Sequence, residues 1–297
     1  MTTSEQQHRT KRIALVTGCS SGIGKELARA LNAQSDIRVY ATARRLQSIR
    51  DLENEGMVIL ELDVTDAKSI KNCISTIKSN EGRIDILVNN AGITHYSPAI
   101  ELPDKDARDI IDTNFFGLIN VTNEAAKIMV DQRSGLVVQI GSVSGLVSNP
   151  FSSMYCASKA AVHAWSDALR MELAPFGVKV VIVQPGAVKS ELANNAIPEM
   201  NQRLESTGTL YERIREYIVK RSTYAVDRGM PAKDFAERTI NAVLRANPPA
   251  HYVTAPLSMQ MRILYHLPAS ITDYILSYVA GLHKLAEMVR RESNEQK

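Results

Sequence analysis

From residue 13 to residue 184 the chain alternates short apolar runs with longer amphipathic stretches, and nothing else in the sequence restricts the fold as much. Residues 13–17, 37–42, 57–62, 84–89, 136–141 and 178–184 read as buried strands. Helices are expected at 22–32, at about 105–131 and at 153–174; in the first, Ile23, Leu27, Ala30 and Leu31 form one apolar face. Apolar strands joined through helices give a parallel sheet covered on both sides. The expected fold class is α/β, a doubly wound parallel sheet in one domain. At 297 residues, 44% hydrophobic and 23% charged, the chain has material for such a core. The alternation stops near 190. Residues 191–229 are polar and mixed, a further helix is expected over 231–245, and residues 251–254 read as a last strand.

The first strand runs into "LVTGCSSGIG" at 15–24, which supports two chemistries. Gly18-Cys19-Ser20-Ser21-Gly22 fits G-x-S-x-G, a nucleophile elbow with Ser20 as the attacking hydroxyl of a lipase or esterase. That reading needs a histidine and an acid. Histidines follow at 95, 163, 251, 266 and 283, none in a context that marks a base. The same residues also read as strand, glycine loop and helix start, a cradle for the phosphates of a dinucleotide. Gly18, Gly22 and Gly24 are spaced G-x-x-x-G-x-G, and a loop after the first strand suits this second role. At the end of the second strand, "VYATARRL" carries Arg44 and Arg45 and no acid. An acid there would bind the ribose hydroxyl of NAD, whereas arginine accommodates the extra phosphate of NADP. NADP(H) is therefore the expected cofactor.

"YCASK" places Tyr155 and Lys159 four residues apart, on one helix face. Ser142 lies just after the fifth strand in "QIGSVSG". Adding hydride to a carbonyl leaves an alkoxide that needs a proton. Tyrosine near pKa 10 is a weak partner at neutral pH, and a neighbouring Lys⁺ is expected to lower that value. The pair then serves as general acid in reduction and base in oxidation, with a serine hydroxyl to hold the substrate oxygen.

These stretches resemble the short-chain dehydrogenase/reductases over residues 11–255. The matching motifs are "TGCSSGIG" at 17–24, "LDV" at 62–64, "NNAG" at 89–92, "NFFG" at 114–117, "GSVSG" at 141–145, "YCASK" at 155–159 and "PGAVKS" at 185–190. The resemblance implies a single Rossmann-like domain, in a homodimer or homotetramer, with a substrate loop at about 191–229. It implies Tyr155 as acid/base, Lys159 as its partner and ligand of the nicotinamide ribose, and Ser142 orienting the carbonyl. Asn114 would hold a water in a relay to Lys159. Gly18, Ser20, Ser21, Gly22, Ile23 and Gly24 would wrap the cofactor phosphates, with Arg44 and Arg45 beside them. Asp63 and Val64 would meet the adenine. Asn90, Ala91 and Gly92 would line the cofactor, and Pro185, Gly186, Val188 and Ser190 would lie along the nicotinamide. Within the family the chain is similar to fungal 1-acyldihydroxyacetone-phosphate reductases and to 17β-hydroxysteroid dehydrogenases. The first similarity implies a lipophilic substrate. It also implies a place on the cytoplasmic face of the endoplasmic reticulum and lipid droplets, or in the cytoplasm.

Residues 256–297 change character. "PLSMQMRILYHLPASITDYILSYVAGLHKL" is apolar and aromatic but interrupted by Arg262, His266, Pro268 and Asp273, too broken for a simple membrane span. It reads either as a helical cap over a pocket or dimer interface, or as a segment lying in a membrane interface. A net charge of +3 without a basic stripe gives no case for nucleic acid. Cysteines at 19, 73 and 156 are too few and too scattered for a disulfide framework or a metal site, so no metal is expected. Cys19 and Cys156 read as small packing residues, with oxidation sensitivity the alternative. The first eleven residues are polar and give no secretory signal.

Overall fold

The computed structural model describes residues 11–205 and 209–295. Among them seven strands form one parallel sheet: β1 (Arg12–Val16), β2 (Ile37–Ala43), β3 (Val58–Glu61), β4 (Ile86–Asn89), β5 (Gly135–Ile140), β6 (Val178–Pro185) and β7 (His251–Thr254). The spatial order is β3-β2-β1-β4-β5-β6-β7. The connections carry α1 (Gly22–Asn32), α2 (Arg50–Asn54), α3 (Ala67–Glu81), α4 (Asp104–Ile111), α5 (Leu118–Gln132), α6 (Ser153–Leu173), α7 (Glu191–Glu205), α8 (Arg215–Arg228) and α9 (Ala232–Val243). Three more helices close the chain: α10 (Ser258–Tyr265), α11 (Ala269–Val279) and α12 (Leu282–Glu295).

Strand side chains alternate between faces, and β1 shows the result. Ala14 and Val16 pack on one side with Leu27 and Leu31 of α1 and Phe235 and Ile240 of α9. Ile13 and Leu15 pack on the other side with Ile70, Ile74 and Ile77 of α3 and Val121 and Ala125 of α5. Each fully buried branched side chain contributes about 1.5–3 kcal/mol relative to exposure. Local signals fix where helices begin and end. The Asp66 carboxylate accepts the Lys68 N–H at 2.8 Å before α3, and Gly82 ends that helix at φ +71°. The chain leaves β1 toward β2 and β3, then returns to place β4 on its other side. That reversal opens a crevice at the carboxyl ends of β1 and β4.

Two expectations need correction. Residues 191–229 are not patternless: they hold α7 and α8. Ala196, Met200 and Leu204 are buried at intervals of four, as are Ile214, Ile218 and Ser222. Pro198 inside α7 and the many polar neighbours hide that period in the sequence. These helices join Phe151 and Ala280 in a small separate core. The stretch 105–131 is not one regular helix either. A π-turn, Asp112–Gly117, separates α4 from α5.

Candidate active site

The crevice is a cleft of about 420 Å³ running from the glycine loop to Tyr155 and Lys159. Its floor is set by glycine. Gly18 adopts φ +73°, and a Cβ there would lie 2.8 Å from the Ala91 Cα. A Cβ on Gly24 would meet the Gly18 carbonyl oxygen and the Asn90 amide nitrogen at 2.3 Å each. Only glycine lets the loop, the β4 end and α1 come this close. The loop is clamped from β4. The Asn90 amide donates to the carbonyls of Thr17 and Gly18, both at 3.1 Å. The Thr17 hydroxyl accepts the N–H groups of Asn90 and Ala91 at 3.0 and 3.1 Å. Ser21 precedes α1 without a side-chain cap, so the first N–H groups of that helix keep their capacity for an anion. Ser20, Ser21, Gly22, Ile23 and Arg44 line the same end, which fits a dinucleotide phosphate.

The other end carries the titratable groups. Lys159 is buried, and its ammonium donates to the Ile140 carbonyl at 2.8 Å, with two protons left for the cleft. The ammonium lies 5.8 Å from the Tyr155 ring centre. Burial lowers the Lys159 pKa to about 8. Burial also raises the Tyr155 phenol above its ordinary range, with the Ser142 hydroxyl opposing the rise. The expected lowering of the Tyr155 phenol is not seen: burial is the largest influence on it. Ser142 accepts the Ser144 N–H at 3.1 Å, which leaves its own O–H free to donate.

The sequence candidates divide by place. Gly18, Ser20, Ser21, Gly22, Ile23, Gly24, Arg44, Asp63, Val64, Asn90, Ala91, Gly92, Tyr155, Lys159, Pro185 and Ser190 stand on the cleft wall. Arg45, Gly186, Val188 and Asn114 do not, while Ser142 follows Gly141 of the wall and reaches Tyr155 with its hydroxyl. Arg45 is exposed, and its carbonyl accepts the Ser48 hydroxyl. Gly186 packs behind the wall, where a Cβ would meet the Pro256 carbonyl at 2.0 Å. Val188 bridges Met230 inside the core. The Asn114 side chain accepts the Ile93 N–H at 2.8 Å and donates to the Ile93 carbonyl at 2.9 Å and the Ser158 hydroxyl at 3.1 Å. Its amide holds the β4 loop to α6, and its oxygen keeps a second lone pair. Ser20 is exposed, and no hydrogen bond joins it to a histidine among the described residues.

Sequence reading missed His95, Leu192, Asn195 and Glu199 on the wall. The last three lie on α7, so the hidden period of that helix was their only signal. His95 Nδ1 meets Glu199 at 2.8 Å. Ligand atoms of His95, Asp106 and Glu199 lie within 4.8 Å of one another, but the Arg203 guanidinium donates to both carboxylates and supplies the positive charge there. The residues that line the cleft all lie before residue 200.

Residues 12–201 match the family model for short chain dehydrogenase. Over 291 residues the chain is 33% identical to an NADPH-dependent 1-acyldihydroxyacetone phosphate reductase of Saccharomyces cerevisiae, covering 95% of each. It is 34% identical over 273 residues to a 3-ketodihydrosphingosine reductase of Bacteroides thetaiotaomicron, covering 89% of this chain and 96% of that one. The solved closed form of a serine dehydrogenase complexed with NADP+ has the same fold, with a TM-score of 0.72 at 26% identity over 82% of this chain and 95% of that one. The chain belongs to the short-chain dehydrogenase family. It is an oxidoreductase acting on alcohol and ketone groups.

Proposed function

We propose that this enzyme reduces a lipid ketone with NADPH, and that the ketone is 1-acyl-dihydroxyacetone phosphate, giving 1-acylglycerol 3-phosphate. The observation that carries the reaction is the grouping of Tyr155, Lys159 and Ser142 at one end of a cleft whose other end is a glycine-loop phosphate cradle. NADP(H) is the cofactor, held by the cradle and Arg44 and supplying the hydride. Ser142 would donate its hydroxyl proton to the carbonyl oxygen and hold it beside Tyr155. The phenol, protonated at neutral pH, gives its proton to the forming alkoxide. Lys159 would stabilise the resulting tyrosinate and meet the ribose of the cofactor. Val64, Asp63, Ala91 and Gly92 would flank the adenine half.

The relatives that act on lipid ketones support the substrate class. The sphingoid ketone of the Bacteroides relative is the second reading. The steroid and hydrolase alternatives have weaker support: Ser20 faces the cleft without a base. A lipid substrate is met at a membrane, and α11 offers a surface for one. Ile271, Tyr274 and Tyr278 are 45%, 74% and 58% exposed at helical spacing on one face. The neighbouring helices carry Arg262, Lys284, Arg290 and Arg291 together with Glu287, Glu292 and Glu295, and the apolar, aromatic face of α11 is what would enter a bilayer surface.

Purified enzyme with NADPH and 1-acyl-dihydroxyacetone phosphate tests the reading by loss of absorbance at the nicotinamide band. 3-Ketodihydrosphingosine and estrone run in parallel. Turnover is expected with the phosphate ketone, and Tyr155→Phe should lower kcat by at least about 100-fold while NADPH still binds. Full activity in that variant would remove Tyr155 from the mechanism.

A further inference from the structure

We propose that Arg221 is the anion-binding residue of the substrate site, and that the substrate is a ketone with a phosphate monoester close to its carbonyl. The inference rests on the ketone-reductase reading above and names the group that selects among ketones. Arg221 lies on α8, three residues after the fully buried Ile218 and beside the fully buried Ser222. It therefore leans toward the inner face of the helix.

The packing of α8 sets that face against the loops next to the reacting end of the cleft. At one end Ile214 and Ile218 pack with Phe151, four residues before Tyr155, and with Tyr96. The Phe151 carbonyl accepts the Ser97 N–H at 3.0 Å, which ties the two loops together under the helix. Just past its other end, Met230 exchanges backbone hydrogen bonds with Ala187 and Lys189, beside Ser190 on the cleft wall. Arg221 falls between these anchors. Its positive charge is felt by Tyr96, Tyr155 and Cys156 together.

Arg221 is half-buried and, among the described residues, has neither a hydrogen bond nor an ion pair. Other inward-facing cations of this region differ. Arg203 is engaged by Asp106 and Glu199, and Lys159 is bound to the Ile140 carbonyl. A half-buried guanidinium without a carboxylate keeps its N–H donors for a ligand. Its planar fork suits the oxygens of a phosphate, in two parallel hydrogen bonds. A ketone one ester linkage from a phosphate can place its carbonyl at Tyr155 and its anion at Arg221. A neutral steroid would leave the charge unpaired, and a sphingoid amine would meet it with a like charge.

Equilibrium calorimetry on the NADP⁺-loaded enzyme tests this without turnover. The probes are 1-hexanoylglycerol 3-phosphate and 1-hexanoylglycerol, which differ only in the phosphate. The wild type should prefer the phosphate by about 30-fold or more. Arg221→Gln should bring the two affinities within about threefold, and Arg221→Lys should keep part of the preference because it keeps the charge. Equal affinities in the wild type, or an unchanged preference in a folded Arg221→Gln protein, would overturn the assignment. If the Gln variant does not fold, the wild-type preference and the Lys variant decide. A phosphate preference in an enzyme that reduces no ketone would leave Arg221 standing and remove the reductase reading. Ketone turnover without any phosphate preference would do the reverse.

Discussion

Tyr155 and Lys159 share one face of α6, and burial acts on them in opposite directions that both favour the neutral form. The phenol is raised and the ammonium lowered to about 8, so the tyrosine enters the reaction as a proton donor. Behind them His163 is packed under the Ser142 turn. Its Nε2 accepts the Ser142 N–H at 3.4 Å, and a Cβ on Gly141 or Gly145 would collide with its ring. Burial, and next the charge of Lys159, lower the His163 pKa to about 4. The folded protein thus binds fewer protons at His163 than the unfolded chain between about pH 4 and 6.5. Its contribution to stability is complete above about pH 6.5 and is lost as pH falls toward 4, at up to about 1.4 kcal/mol per pH unit. Melting temperature followed from pH 7 to 4 should fall less steeply in His163→Asn than in the wild type. Parallel slopes would show that His163 does not titrate on unfolding.

At the scale of elements, α7 turns a cofactor-binding sheet into a substrate site, because its inner face brings Leu192, Asn195 and Glu199 to the cleft, with α8 packed in the same small core. The π-turn before α5 has a comparable role. It sets Asn114 where one amide can hold both polar groups of Ile93, so the loop after β4 stays fixed. The C-terminal helices work outward instead. No residue of α11 is buried, and its Ile271, Tyr274 and Tyr278 face makes a surface that water solvates poorly. Tyr274→Glu should weaken co-sedimentation with phosphatidylserine vesicles about tenfold and leave the melting temperature unchanged, since the ring packs on no core. An unchanged vesicle affinity, with a dimer dissociating in its place, would assign the face to a second copy of the chain.

The molecule as a whole is held by two apolar layers, one on each face of the sheet. Leu27 of α1 is fully buried in the layer shared with α9. Leu27→Ala should cost about 2–5 kcal/mol of unfolding free energy in urea, through lost transfer energy and a residual cavity. Because α1 also carries the phosphate cradle at its N-terminus, NADPH should recover part of that loss by binding only the folded state. A cost below about 1 kcal/mol would mean that the layer relaxes around the missing side chain.

The sequence by itself determined the sheet, its flanking helices and the chemical types in the site. Those rest on local rules: period-two and period-3.6 patterns, glycine where backbones must approach, and a tyrosine and lysine one helical turn apart. The strand at 251–254 and the helix at 22–32 were legible to the residue for that reason. Only the tertiary structure decided what depends on neighbours distant in the chain. The direction of the Tyr155 shift follows from enclosure. The removal of Gly186, Val188 and Arg45 from the wall follows from how the loops fold back on Pro256, Met230 and Ser48. The helices at 191–228 were hidden because Pro198 and polar faces dilute their period, and they become regular by packing against Phe151 and Ala280. Burial, charge pairing and access are properties of the packed chain, and no stretch of sequence carries them alone.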